Sequence, residues 1–349
     1  MEGLKLGLMT AGDENAYAAL IDGAPNSPFT HTLAYRNVLR DSGMGEPCYF
    51  IARRQGQLQA ALPTLVKRTA IGAVMNSLPL AQSAGGVVVA AKATPSERSY
   101  LMRRLIDTCL DYARGNQIGV CVFIGTPFSN EETPASTAPD FVIDRPTHVL
   151  DLTSPLKLHH AAKEGVRKAG KSHPVWHRAH CEADAKMVWQ LYADSMGLIK
   201  VPARPWSLYA HLYNYGEQLV RFVWCTINGE PTSGFVLLCH KDIVDYHSVG
   251  NTALGRTHQT NSWLCRHELE QAAIRGAKWW NWGASPTAAV AEFKRNFGGQ
   301  DQTYRLRGFF TQDVSSWRQW STLDLSTHFP NYYVVPHSWL SQEHTAARS

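Results

Sequence analysis

The chain has few of the features that mark secreted or membrane proteins. Among its 349 residues are only seven cysteines, and no two of them form a CxxC pair. Most lie inside apolar runs such as GVCVFIG, so we expect reduced core thiols rather than disulfides or a metal site. The amino-terminal residues contain no apolar signal core, and the longest soft stretch, residues 70–91, is interrupted by polar residues, proline and glycine. These absences predict a cytoplasmic protein without a membrane span.

The chain also has only a small excess of positive over negative charge. The formal net charge is only +5. This excess is too small for a nucleic-acid coat of the histone kind, but it permits one local basic groove. Hydrophobic residues make up 44% of the chain, which is enough to build large cores, and the length favours two domains over one.

One stretch matches a nucleotide-binding pattern. Gly165–Ser172, GVRKAGKS, fits the phosphate-loop pattern G-x-x-x-x-G-K-[ST]. A phosphate loop needs a strand, then the turn, then a helix. Here the residues upstream have a Ser cap and helical spacing from Leu156 to Arg167, whereas Pro174 and the alternating VWHRAHC follow. The predicted order is helix, turn, strand, so we expect no nucleotide hydrolysis.

What remains of this stretch is a helix end that is rich in cations. Only Glu164 opposes them. Two interpretations stay open: an ordinary solvated helix face, or a surface that binds phosphates. The cations are Lys157, Lys163, Arg167, Lys168 and Lys171.

Two segments of the chain repeat the same predicted order of elements. Each has two helices, a hairpin, and later a third helix that ends at a glycine and leads into a short apolar strand. The predicted helices are residues 13–22, 33–41 and 99–115 in the first segment, and 184–196, 206–216 and 261–276 in the second. The hairpins turn at Gln55–Gly56 and at Asn228–Gly229. This repetition predicts an α+β fold of two tandem domains.

The order within each domain is similar to the acetyltransferase-like (GNAT-like) fold, which raises coenzyme A as an acyl donor. The cofactor-binding form of that fold has an R/Q-x-x-G-x-G/A turn after its fourth strand, where free amides receive the pyrophosphate. The corresponding stretch of the second domain is HSVGNTALGRTHQTNSW, in which Gly250 and Gly255 lie five residues apart. No such turn can be written there, so this donor is the weaker alternative.

Four stretches carry a further signal: SLPLAQSAGG, THVLDLTSPLKLHHAAKEGVRKAGKS, AAIRGAKWWNWG and AEFKRNFGG. Together they resemble the Fem family of aminoacyl-tRNA-dependent transferases (FemA, FemB and FemX types). The resemblance implies two acetyltransferase-like domains: domain 1 from residues 1–148 plus about 316–349, and domain 2 from residues 149–315. It also implies transfer of an amino acid from charged tRNA to a peptide amine, without a cofactor. Because no Lys/Glu-rich heptad insertion separates the second-domain helices, the compact FemX-like form is indicated.

Two positions depart from the family pattern. Lys163 stands where the family usually has an arginine, and His173–Pro174 replace its usual glycine. The identity of the acceptor therefore stays open, between a cell-wall precursor peptide and a peptide antibiotic intermediate.

The expected catalytic residues follow from the resemblance. An aminoacyl ester is already activated, so the enzyme must position the amine and stabilise the negative oxygen that develops on the carbonyl. The match at EFKRNFGG implies that Lys294, together with Phe293, acts beside the ester carbonyl. We expect tRNA to be bound by Lys163, Arg167, Lys168, Lys171 and Arg295.

The acceptor needs a different set of side chains. Arginine forks suit phosphates and carboxylates, so we expect Arg36 and Arg204 to bind the acceptor. We expect Tyr209 to line the same cleft, with a place in the core of an amphipathic helix as the alternative. Asp245 and His247 could accept a proton, although a strand histidine is more often a hydrogen-bonded core group.

No metal is expected. His177 and His180 lie three residues apart next to Cys181, but positions 177 and 180 of a strand face opposite sides.

The expected partners are aminoacyl-tRNA and a peptidyl acceptor, bound by a monomer. Two rival functions stay open. One is an N-acyltransferase that uses acyl-coenzyme A or a carrier protein, which would consume a thioester without RNA. The other is a non-catalytic GNAT-like module that only binds an anionic ligand.

Overall fold

The computed structural model describes residues 3–78, 85–128 and 135–340. The middle of the SLPLAQSAGG stretch lies outside the described residues. The chain forms two compact units. Unit 1 comprises Met1–Arg36, Gly43–Arg145 and Tyr304–Ser349, and unit 2 comprises Asn37–Ser42 and Pro146–Thr303.

Helices and strands alternate along the whole described chain. The helices are α1 (Glu14–Gly23), α2 (Leu33–Asp41), α3 (Pro95–Gly115), α4 (His160–Gly170), α5 (Glu182–Leu198), α6 (Trp206–Tyr213), α7 (Ala253–His258), α8 (Thr260–Ile274), α9 (Ala288–Asn296) and α10 (Thr322–His328). The strands are β1 (Leu4–Leu8), β2 (Glu46–Pro47), β3 (Phe50–Arg54), β4 (Gln57–Leu62), β5 (Leu65–Thr69), β6 (Gly72–Asn76), β7 (Val88–Val89), β8 (Val120–Ile124), β9 (Phe141–Asp151), β10 (Val175–Arg178), β11 (Val220–Ile227), β12 (Glu230–His240), β13 (Ile243–Asn251), β14 (Trp279–Ala284) and β15 (Gln300–Phe310).

Both predicted hairpin turns are confirmed. Gln55–Gly56 joins β3 to β4, and Asn228–Gly229 joins β11 to β12. All four turn residues have positive φ, from 52° to 84°. Two consecutive positive φ angles match the right-handed twist of the flanking strands, which is why Asn-Gly is a strong turn signal.

Unit 1 is built on two sheets and one long helix. The first sheet has the order β1-β3-β4-β7 and is antiparallel throughout. In the second, β15, β8, β6, β5 and β2 are neighbours in that order, and only β6 and β8 are parallel. The apolar stripe predicted on α3 lies in the core: Leu101, Leu105, Cys109 and Ala113 are all buried.

The start of α3 was predicted four residues too late. The helix begins at Pro95 because Thr94 and Glu97 form a capping box, in which each side chain binds the other residue's backbone amide. Such a box satisfies amides that the first helical turn leaves free.

Unit 2 contains a sheet in the order β10-β11-β12-β13-β14-β9. Its pairs are antiparallel except β13 and β14, which run parallel where Ile243–Asp245 faces Trp279–Asn281. The helices α4 and α8 pack onto this sheet, and their apolar side chains share one core with Trp280 and Trp282. The described residues thus mix helices with largely antiparallel sheets, which confirms the α+β prediction.

The glycines in the stretch after β12 serve packing. A Cβ on Gly250 would lie 2.2 Å from the backbone carbonyl carbon of Leu191 on α5. A Cβ on Gly255 would lie 2.4 Å from the carbonyl oxygen of Thr232. Close backbone approach therefore explains both glycines.

The GVRKAGKS stretch has the predicted order of helix, turn and strand. It runs from α4 through a turn into β10. Gly165 lies inside α4, where a Cβ would come within 2.8 Å of Ser262 Oγ on α8. Ser172 Oγ lies 2.7 Å from His258 Nδ1. Helix packing, rather than phosphate binding, accounts for this glycine.

The predicted start of α4 was wrong. The helix begins at His160 rather than just after Ser154, because His159 has extended backbone with φ −73° and ψ 167°. The His159 amide donates instead to the carbonyl of Asn296, at 2.9 Å. The predicted strand after α4 is also shorter than expected: β10 ends at Arg178, so His180 lies beyond it.

Within the described residues, no helix combines the length and the apolar composition that crossing a membrane requires.

Candidate active site in unit 2

Lys294 lies in the last turn of α9 and is almost completely buried, with 4% of its surface exposed. Its Nζ donates to the carbonyl oxygens of Gly283, at 2.8 Å, and Ala284, at 2.6 Å. Burial lowers the pKa of Lys294 from 10.5 to about 7. A protonated lysine carries three N–H donors, so these two bonds leave one proton for a further acceptor.

The two carbonyls belong to an irregular end of β14. The register between β14 and β9 shifts between Asn281 and Gly283. Gly283 has φ 69°, a conformation that glycine adopts without strain. The Asn281 side chain accepts from the Gly283 amide at 3.0 Å and donates to Asp245 Oδ1 at 2.8 Å. Asn281 therefore fixes the backbone that holds Lys294.

The same region is where β13 and β14 stop pairing. Their pairing covers Ile243–Asp245 and Trp279–Asn281, whereas β13 continues to Asn251 and β14 to Ala284. Lys294 thus binds the part of β14 that lies beyond its pairing with β13.

Phe293 packs beside the site. It is partly buried, and its ring centroid lies 4.9 Å from that of Phe297 and 6.3 Å from that of Trp282. These contacts hold α9 against the aromatic core of unit 2. The role expected for Phe293 in catalysis stays a prediction.

A polar network adjoins Lys294. His148 Nδ1 lies 2.8 Å from Ser285 Oγ, and His148 Nε2 lies 2.8 Å from Asp301 Oδ1. Arg295 Nε donates to the same carboxylate at 2.9 Å. His148 is buried, whereas the Asp301 side chain is 64% exposed. Burial lowers the pKa of His148, and so does the charge of Lys294, whereas Asp301 raises it.

The predicted tRNA-binding residues of α4 are exposed. Lys163, Arg167 and Lys168 lie on the helix, and Lys171 follows its last residue. Arg167 is paired with Glu164, at 2.6 Å between Nη2 and Oε2. Both partners are exposed, so this pair competes weakly with a phosphate.

Two of the predicted acceptor residues come together in unit 2. Arg204 Nη1 lies 3.1 Å from His247 Nε2, and the Tyr209 hydroxyl lies 2.7 Å from Ser248 Oγ. The rings of Tyr209 and His247 are 6.2 Å apart. Tyr209 is fully buried, and burial raises its pKa. Tyr209 therefore lies in the core beside His247, and its hydroxyl is not on the surface.

The third predicted acceptor residue, Arg36, lies in unit 1. It is 8% exposed, and its Nη2 donates to Glu14 Oε1 at 2.8 Å. An acceptor carboxylate or phosphate at Arg36 would therefore have to compete with Glu14.

The two candidate bases on β13 are both buried. Burial raises the pKa of Asp245 to about 7. Burial and the neighbouring Arg204 together lower the pKa of His247 well below its ordinary value. Each also has a hydrogen-bonding side-chain neighbour, Asn281 for Asp245 and Arg204 for His247.

The sequence did not predict the network around His148. Its serine and histidine lie 137 positions apart, and its aspartate comes from a third element, β15. No local spacing links such residues. His148 and Ser285 do lie inside or next to two of the stretches that resemble the Fem family, which is the one signal that could have drawn attention to them.

In the part of the chain that the structure describes, no group of three or more His, Cys, Asp or Glu side chains is arranged to hold a metal ion.

Comparison with known proteins identifies the fold. No protein-family model and no curated protein sequence matches the chain. Among solved structures it is similar to FemX, with a TM-score of 0.62 and 11% identity over 86% of this chain and 96% of that one. It is similar to L-PGS from Bacillus licheniformis, with a TM-score of 0.56 and 9% identity over 95% and 100%.

A tandem GNAT protein from the clavulanic acid biosynthesis pathway is also similar, with a TM-score of 0.54 and 12% identity over 89% of this chain and 100% of that one. These likenesses confirm the predicted fold of two tandem GNAT-like domains, and they confirm the expected structural resemblance to FemX.

Proposed function

We propose that this protein is an aminoacyltransferase that moves an amino acid from aminoacyl-tRNA to the amine of a peptidyl acceptor and so forms a peptide bond. The observation that carries the proposal is the buried ammonium of Lys294, held by two backbone carbonyls with one donor left over. The GNAT-like fold shared with FemX supports the same reaction class.

The reaction needs little from the protein beyond placement and charge. The acceptor amine attacks the ester carbonyl carbon, the new C–N bond forms, and the bond to the ribose oxygen breaks. Negative charge develops on the carbonyl oxygen during the attack. A cation in a buried site stabilises that oxygen more than one in water would, because little solvent screens it. The remaining N–H of Lys294 supplies this interaction.

The cations of α4 provide a surface for the tRNA backbone. The His159 amide binds the Asn296 carbonyl at 2.9 Å, so the start of α4 touches the end of α9, which carries Lys294. From there to Lys171 the chain extends about 18 Å, at about 1.5 Å per helical residue. Exposed Lys163 and Lys168 lie along this path. An acceptor stem bound there would deliver its terminal ester towards α9.

The acceptor would then bind from the side of Arg204. Arg204 is partly exposed, and its guanidinium lies next to His247 on β13. An arginine there suits the carboxylate or phosphate of a peptidyl acceptor. A cell-wall precursor and a peptide antibiotic intermediate both carry such groups.

Thioester-dependent N-acyl transfer is the second candidate, because the fold is shared with a tandem GNAT protein. Against it, Gly250 and Gly255 are used in packing against Leu191 and Thr232, and no pyrophosphate-binding turn can be written at that place. A non-catalytic binding module would need no buried lysine, whose burial is costly.

The donor decides between these functions. The protein would be mixed with a pool of charged tRNA and a peptidyl amine, with and without ribonuclease pretreatment, and separately with acyl-coenzyme A. We expect a peptide product that ribonuclease abolishes. Product that survives ribonuclease, or that forms from the thioester alone, would refute the tRNA-dependent function.

A further inference from the structure

Peptide-bond formation also requires that the attacking amine lose a proton. We propose that Ser285, His148 and Asp301 form a relay that takes this proton from the active site and releases it to water. This inference rests on the proposed function, since it concerns the same site. It adds a proton acceptor to a mechanism in which Lys294 supplies only charge.

The geometry has the order that a relay needs. Ser285 follows Ala284, the residue whose carbonyl oxygen accepts from Lys294 Nζ at 2.6 Å. Ser285 Oγ lies 2.8 Å from His148 Nδ1, and His148 Nε2 lies 2.8 Å from Asp301 Oδ1. His148 Nε2 is buried, and its 2.8 Å contact with Asp301 Oδ1 lacks the alignment of a hydrogen bond. Because a carboxylate can only accept, we assign the proton to Nε2, and Ser285 then donates to Nδ1.

Solvent exposure also fits a relay that ends at the surface. Ser285 is 4% exposed and His148 is fully buried, whereas the Asp301 side chain is 64% exposed. The relay therefore begins inside unit 2 and ends at solvent. Asp245, a buried acid on β13, is instead bound by the buried Asn281.

Burial and the neighbouring cations favour the neutral form of His148. Burial has the largest effect and lowers the pKa of His148, Lys294 and Arg295 of α9 lower it further, and Asp301 of β15 raises it. A neutral imidazole at neutral pH can accept a proton, which is what a general base requires. The carboxylate of Asp301 then stabilises the transient imidazolium.

The proton transfers balance. As the amine nitrogen bonds to the carbonyl carbon, its proton passes to Ser285 Oγ, and the serine proton passes to His148 Nδ1. The Nε2 proton of His148 passes to Asp301 Oδ1, 2.8 Å away, and the exposed carboxyl then releases it to water. The ribose oxygen takes a proton from water as its bond to the carbonyl carbon breaks. No oxidant, reductant or covalent enzyme intermediate is involved.

The test is the pH dependence of turnover in two variants and a matched control. Ser285→Ala breaks the relay at its start, and Asp301→Asn removes the charge at its exposed end. Ser172→Ala is the control, because Ser172 also binds a histidine Nδ1 in unit 2, that of His258 at 2.7 Å. Transfer from charged tRNA would be measured between pH 5 and 8 for each protein.

In the wild-type protein we expect kcat to fall at acid pH as His148 becomes protonated, and to fall above about pH 7 as Lys294, whose pKa is about 7, loses its charge. In Ser285→Ala, kcat should drop about a hundredfold, the scale of lost general-base catalysis, with KM within about twofold and no acid limb from His148. In Asp301→Asn the acid limb should move down by about one pH unit, because the charge that raises the pKa of His148 is gone. Ser172→Ala should match the wild type.

Two results would overturn the relay. One is a folded Ser285→Ala protein with wild-type turnover. The other is a slower variant whose acid limb stays where the wild-type limb lies, since a merely structural role lowers kcat without moving that limb. Asp301→Asn changes an exposed side chain, so it tests the proposal even where Ser285→Ala does not fold.

A titration of His148 separates this proposal from the proposed function. Its imidazole signal, assigned by its loss in His148→Gln, would be followed by NMR in the wild type and in Asp301→Asn. We expect a lower pKa in the variant, whether or not the protein transfers amino acids. A protein that transfers nothing refutes the proposed function; an unchanged His148 pKa refutes the relay.

Discussion

Replacing Lys294 with methionine should make the protein more stable at acid and neutral pH while it removes activity. The lysine pKa is lowered from 10.5 to about 7 by burial. Below pH 7 the side chain is protonated in the folded and the unfolded chain alike, so the folded state carries the full cost of a buried charge. Above pH 10.5 it is neutral in both states, and that cost disappears.

The size of the effect follows from this difference. A difference of one in pKa corresponds to about 1.36 kcal/mol, so the difference between 10.5 and about 7 means that the buried charge costs about 5 kcal/mol below pH 7. Methionine removes that cost but leaves the carbonyls of Gly283 and Ala284 without their donor, at about 1.5 kcal/mol each. The variant should therefore be more stable than the wild type by about 2 kcal/mol at pH 6. The two should be equally stable near pH 8.5, and the variant should be the less stable protein above it.

Urea unfolding at pH 6, 8.5 and 9.5 would measure the difference. Lys278→Met is the matched control, because Lys278 is 61% exposed and its loss removes the same charge from the surface of unit 2. It should show no comparable dependence on pH. A Lys294→Met protein that is less stable than the wild type at pH 6, or a stability difference that does not vary with pH, would refute the reasoning.

Three further outcomes are expected. Gly165→Ala should have a free energy of unfolding, measured in urea, about 1–3 kcal/mol lower than that of Gly170→Ala. The reason is that a Cβ at 165 would lie 2.8 Å from Ser262 Oγ, whereas one at 170 would meet nothing within 4 Å. Equal stabilities would contradict the packing role. ATP and GTP should neither be hydrolysed nor raise the melting temperature, and a magnesium-dependent signal lost in Lys171→Ala would show the opposite. The pair Arg167→Glu and Lys171→Glu should raise the apparent KM for charged tRNA far more than it changes kcat, since phosphate contacts act equally in the ground and transition states; a lowered kcat at unchanged KM would count against tRNA binding there.

Elements with local signals were predictable from the sequence. The Asn228–Gly229 turn was found because its residues adopt the positive φ angles that the hairpin demands. The helix that contains most of GVRKAGKS was found because residues from Leu156 to Arg167 recur at helical spacing. Its start was misplaced because a tertiary contact, from His159 to Asn296, sets the boundary.

The site was predictable only in part. The resemblance at EFKRNFGG singled out Lys294. The adjacent residues in the sequence did not indicate that its ammonium would bind the carbonyls of Gly283 and Ala284. That arrangement depends on a shift of register between β14 and β9, which the sequence does not mark. His148 lay beyond sequence reasoning for the same reason, because its partners meet only in the folded sheet.

The central claim is that Lys294 stabilises the oxyanion of an aminoacyl ester, and single-turnover transfer tests it most directly. Purified charged tRNA carrying a labelled amino acid would be mixed with excess enzyme and peptidyl acceptor, for the wild type, Lys294→Met and the exposed control Lys278→Met. We expect Lys294→Met to bind the tRNA as tightly as the wild type but to transfer the label about a hundredfold more slowly, with Lys278→Met unaffected. A folded Lys294→Met protein that transfers the label at the wild-type rate would contradict the claim.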